Sequence, residues 1–80
     1  MKIKLSLEDV AEFVTIASSF ESDINIHSIH NSVMVDGKSI MSVIGLDLGS
    51  ELMVDINSNN AEEVLLFGEV MKRYEKGEDE

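Results

Sequence analysis

The chain lacks cysteine, proline and tryptophan, and its aromatic side chains are three Phe and one Tyr. Without cysteine there is no thiolate nucleophile, no cystine framework and no Cys-based zinc site. Without proline, and with no internal repeat or low-complexity stretch, nothing marks a linker. Positive charge is scarce too: six Lys and Arg face sixteen Asp and Glu, for a formal charge of −10. A field of that sign repels phosphate backbones and anionic lipid heads, so neither nucleic acid nor a membrane surface is an expected partner. The acid excess reads as solubility charge rather than as a surface dedicated to a basic partner. Long apolar runs are missing as well. Met1-Lys2-Ile3-Lys4-Leu5 leads into no uninterrupted hydrophobic stretch, which argues against a signal peptide or membrane span and makes the cytoplasm the expected location. What remains is hydrophobic content, 44% of 80 residues, enough for one core in one domain without metal or cofactor. The domain is expected over residues 1–76, with 77–80 as a frayed acidic tail.

Local pattern gives an order of elements. Residues 2–5 alternate Lys, Ile, Lys, Leu, the period of a half-buried strand with Ile3 and Leu5 inward. Ser6 followed by Glu8 and Asp9 reads as a capped helix start with acids at the positive end of the dipole. Leu7, Val10, Ala11, Val14 and Ala17 form its apolar stripe, Phe13 and Phe20 widen it, and Ile16 falls outside. Ile24, Ile26 and Ser28 alternate with Asn25 and His27, and Val33-Met34-Val35 returns after a turn at His30-Asn31-Ser32, which predicts a β-hairpin over residues 24–36. Asp36-Gly37 is a turn. Lys38 to Gly45 then reads as a short helix, with Ser39 as N-cap and Gly45 as the stop. Leu46 and Leu48 anchor a connection to a fourth strand over 51–57, with Leu52, Val54 and Ile56 inward. Asn59 with Glu62, or Asn60 with Glu63, caps the last helix, whose apolar positions are Val64, Phe67, Met71 and Leu66, Val70, Tyr74. Gly68 inside that helix suggests a close approach to the sheet. The order is β-α-β-β-α-β-α. A four-stranded antiparallel sheet, apolar on one side only, requires its three helices on that side, an open-faced α+β sandwich.

In this order of elements and in its motifs, the chain resembles the HPr family of phosphocarrier proteins of the bacterial sugar phosphotransferase system, from Met1 to about Lys76. Gly37-Lys38-Ser39-Ile40-Met41-Ser42-Val43 is similar to the family's regulatory-serine segment, and Ala17 to Ile26 resembles its junction between first helix and second strand. The resemblance implies two sites. One is a phosphoryl-carrying histidine at the start of the first helix, supported by an arginine; the matching positions here are Ser6 for the histidine, Glu8 for the arginine and Asp9 for the proline of that motif. Nucleophile and cation are both gone, and Glu8 and Asp9 would repel a phosphoryl dianion. The other is the serine capping the second helix, phosphorylated in many members by a dedicated ATP-dependent kinase and then read by a transcriptional regulator. Ser39 matches it, and Ile40, Met41 and Ile44 match the family's apolar docking patch, with one of them expected to point inward.

Other chemistry has little to stand on. His27 and His30 with Asp23 offer no third ligand at metal spacing and read as strand and turn residues. No phosphate loop, Ser-His-Asp order or buried carboxylate dyad is present. The expectation is a non-enzymatic HPr-like regulatory module that binds a protein partner under control of Ser39. The alternative is a phosphocarrier that uses His30 or His27 instead.

Overall fold

The computed structural model describes residues 1–75; the expected acidic tail at 77–80 lies outside them. The elements run β1 (Lys2–Ile3), a 3-10 turn (Leu7–Asp9) leading into α1 (Val10–Ser18), β2 (Asp23–Ser28), β3 (Val35–Asp36), α2 (Ile40–Ile44), β4 (Leu52–Asn57) and α3 (Ala61–Met71), closed by a 3-10 turn (Lys72–Tyr74). The antiparallel sheet has the order β1-β4-β2-β3. Ile24 lies opposite Ile56, Ile26 opposite Val54 and Ser28 opposite Leu52, so one face of the two central strands is hydrocarbon except at buried Ser28. The helices cover that face. Ile3, Leu5, Val10, Phe13, Ala17, Phe20, Ile24, Ile26, Val43, Leu52, Val54, Phe67, Met71 and Tyr74 form one buried cluster. This is the open-faced α+β sandwich that strand and helix periodicity imply. Each fully buried side chain of this size stabilises the fold by about 1.5–3 kcal/mol.

Local details differ from the periodicity in instructive ways. Leu7 is 69% exposed and Ala11 is exposed, so the stripe of α1 is Val10, Phe13 and Ala17, with Val14 and Ile16 partly buried against the core. Leu5 already fills the core beneath the first turn, and the chain swings outward at Ser6, carrying Leu7 to the surface. In the hairpin, pairing stops at Asn25↔Asp36 and Ile26↔Val35, and Val33 and Met34 lie exposed in the connecting loop. The cap of α3 resolves to Asn60, whose Oδ1 accepts from the Glu62 and Glu63 N–H groups at 2.9 and 3.2 Å. Glu63 does not return to Asn60; it reaches across the molecule instead, as described below.

Gly68 corrects a sequence expectation. A Cβ built there meets no atom within 4 Å, so the glycine marks no close approach to the sheet. Core contact on α3 is made by Phe67 and Met71, while Val64 and Leu66 are 41% and 56% exposed on the leading half of the helix. Gly68→Ala is therefore expected to raise stability by about 0.5–1 kcal/mol through helix propensity and a less flexible unfolded chain. Urea unfolding checks this as a higher midpoint at unchanged slope.

Candidate functional site

The corner that follows β3 sets up the site. Gly37 N–H donates to the Ile24 carbonyl at 2.7 Å, pressing the turn onto β2. A Cβ at residue 37 would lie 2.8 Å from Ile24 Cγ2 and 3.2 Å from its carbonyl oxygen, so glycine is what allows this approach. Asp36 closes the turn: its Oδ1 accepts from Lys38 N–H at 2.9 Å and its carbonyl from Ser39 N–H at 3.1 Å. Ser39 then has extended backbone geometry and its Oγ accepts from Ser42 N–H at 3.3 Å, the N-cap role read from the sequence. Gly45 ends the helix in right-handed helical geometry at φ −75°, without using glycine's left-handed freedom.

The side chains of α2 divide sharply. Val43 is buried in the core, whereas Ile40, Met41 and Ile44 are 43%, 78% and 46% exposed. The expectation that one of these three would pack inward is thus corrected: five residues of helix offer one inward position, and Val43 takes it. α2 lies antiparallel beside α1. At one end Lys38 Nζ donates to the Phe20 carbonyl at 2.7 Å, just past the end of α1. At the other, Gly49 N–H donates to the Leu5 carbonyl at 3.0 Å, just before its start. Leu7, exposed just before α1, thus lies on the element next to the one that carries Ile40, Met41 and Ile44.

A second clamp holds the same corner. The Glu63 carboxylate accepts from Ser22 Oγ at 2.6 Å, Ser58 Oγ at 2.6 Å, and the N–H groups of Ser22 and Glu21 at 3.1 Å each. The Ser22 and Ser58 hydroxyls, then the Ser22 and Glu21 N–H groups, hold its pKa down to about 2 from an ordinary 4.5. A group depressed on folding contributes stability that is complete above its unfolded pKa and is lost as pH falls through the folded one. The Glu63 contribution should accordingly fade between about pH 4.5 and about pH 2. Acid titration followed by circular dichroism should show a shallower stability loss across that window for Glu63→Gln than for the parent chain. No local spacing announces this clamp, because Ser22 lies 41 residues away in sequence.

The positions matching the family's phosphohistidine motif look different from a phosphate cradle. Ser6 N–H donates to Asp9 Oδ2 at 2.9 Å, so a carboxylate of the chain itself closes on the N-cap donor of the 3-10 turn that leads into α1. Glu8 is exposed beside it, and Glu12 on the next turn accepts from Tyr74 Oη at 2.6 Å and pairs with Arg73 at 3.5 Å. The histidines sit elsewhere. His27 on β2 is half-buried with Nδ1 2.8 Å from the Ser28 carbonyl, which makes that nitrogen the donor, and His30 is exposed in the β2–β3 loop. Among the described residues no three His, Asp or Glu side chains are grouped to hold a metal ion, and no helix is long and apolar enough to cross a membrane.

A family model described as the PTS HPr component phosphorylation site matches residues 4–72. A comparison with curated proteins finds no match. The matched span holds both the Ser6 to Asp9 turn and the Ser39 helix, and the four-stranded sheet with its helices on one face is the architecture that the resemblance implied. The chain belongs to the HPr family of phosphotransferase-system phosphocarrier proteins.

Proposed function

We propose that this chain is an HPr-family member that has given up histidine phosphotransfer and acts as a regulatory protein-binding module, with Ser39 as its phosphorylation site. The observation that carries the reading is the Asp9 carboxylate seated on Ser6 N–H, with Glu8 exposed alongside. Phosphoryl carriage needs a nucleophile and compensating positive charge; these positions supply a hydroxyl and two acids. The second family position is intact in outline. Ser39 caps α2 and is only partly buried, and Ile40, Met41 and Ile44 beside it are exposed. A phosphate there adds about −1.5 to −2 charge next to an apolar patch, enough to change which partner the patch accepts. The partners are protein: a kinase of the family that modifies Ser39, and a transcriptional regulator that reads the result.

Two incubations test the two halves. With phosphoenolpyruvate and enzyme I the chain should gain no acid-labile phosphate, and phosphohistidine at His27 or His30 would overturn the loss of carriage. With ATP and a kinase of the family it should gain one phosphate that Ser39→Ala abolishes, and an unmodified Ser39 would remove the switch.

A further inference from the structure

Between Lys4 and Lys72 the sequence contains one lysine or arginine, Lys38, and its ammonium is turned onto the Phe20 carbonyl at 2.7 Å. The α1–α2 face therefore presents apolar side chains in a setting of carboxylates with no outward cation from its own elements. Leu7 and Met41 are its most exposed apolar members at 69% and 78%. Glu8 is exposed next to Leu7. Beyond Ile44, where α2 ends, an open cleft runs between the α2 exit and the β2–β3 loop, lined in part by His30, Val33, Leu46 and Asp47. Asp47 is the carboxylate of that cleft, and Ser50 Oγ donates to its Oδ2 at 3.0 Å, fixing the group while Oδ1 stays available.

We propose that the partner of this face is a protein segment carrying Lys or Arg beside apolar side chains, with its apolar side chains on Leu7, Ile40, Met41 and Ile44 and a cation in the cleft against Asp47. This deepens the docking role proposed above and rests on it. The acid excess then has a local purpose that bulk solubility does not require: carboxylates at the rim steer a basic partner in and repel an acidic one. Phosphorylation of Ser39 would work in the same direction, adding negative charge to the face rather than cancelling it.

The test is an NMR titration of the isotope-labelled full chain with two amphipathic peptides of equal length and leucine content, one bearing lysines and the other glutamates in their place. The lysine peptide should shift the amides of residues 7–8 and 40–47. Its binding should weaken by about tenfold when Glu8→Lys and Asp47→Lys are combined, and weaken with added salt. Asp55→Lys, on the outer face of the sheet, should leave it unchanged; the amide spectra of both variants verify their folds. Equal binding of the glutamate peptide to the same amides overturns the basic partner while leaving the docking face standing. Shifts spread evenly over the outer sheet and α3, or an equal loss with Asp55→Lys, mean unspecific charge attraction and also overturn it. If neither peptide moves the amides of residues 40–44, the docking face itself falls.

Discussion

Tyr74→Ala should remove about 3–5 kcal/mol, the range for truncating a fully buried aromatic. Tyr74 lies in the final 3-10 turn and beyond the family match at residue 72, yet it is 1% exposed. Its ring meets Phe13 edge-on at 5.8 Å between centroids, its hydroxyl donates to Glu12 at 2.6 Å, and its carbonyl accepts from Lys4 N–H at 2.8 Å. One residue thus ties the turn after α3 to α1 and to the segment after β1. Burial, and then the Glu12 carboxylate, push the phenol well above the usual tyrosine range, so it stays a neutral donor. For a domain whose total stability is about 5–10 kcal/mol, the loss leaves little margin. Tyr74→Phe keeps the ring and gives up the hydroxyl, which should cost about 1 kcal/mol because exposed Glu12 regains water. Urea unfolding of both variants separates the two terms; an alanine variant within about 1 kcal/mol of the parent would show that the turn is not part of the cooperative unit.

Gly37→Ala is the second large effect, about 1–3 kcal/mol, and it acts on the site as well as on the fold. The added carbon would lie 2.8 Å from Cγ2 of Ile24, a β-branched side chain that is 1% exposed and cannot swing aside. The turn must lift off β2, lengthening the Gly37 to Ile24 hydrogen bond and moving Ser39 two residues on. Thermal unfolding should report the destabilisation, and the Ser42 amide resonance should report disturbance of the Ser39 cap. A variant with parental melting and an unmoved Ser42 amide would show that the corner tolerates the carbon.

The fold was largely legible because short-range signals agreed with one another. Alternation placed Ile24, Ile26, Leu52 and Val54 on one face, and Ser39 and Asn60 announced their helices by capping chemistry that depends on neighbours alone. The misread positions are those where distant structure decided. Val33 and Met34 have strand character, but the edge strand β3 pairs with β2 only through Val35 and Asp36, and at the end of β2 the Ser28 hydroxyl accepts from His30 N–H within the turn. Leu7 fits the helical spacing and yet is exposed, since Leu5 fills the core first. Glu63 looks like half of a capping box and is drawn to Ser22 and Ser58 instead. Ile40, Met41 and Ile44 were singled out by resemblance to the family's apolar patch; that all three face outward was legible only once Val43 was seen to fill the single inward place.

The two edges of the sheet limit how a partner can engage this protein. β1 and β3, the outer strands, are 2 residues each, and the 6-residue β2 and β4 between them extend past them: β1 covers β4 at Leu52 and Met53, and β3 covers β2 at Asn25 and Ile26. The exposed edge is thus broken into short pieces among the described residues, and a broken edge is a poorer template for edge-to-edge aggregation than one long strand. It also gives little support to recognition by strand addition, in which main-chain hydrogen bonds supply the affinity. Recognition through this fold then falls more to side chains than to main-chain pairing.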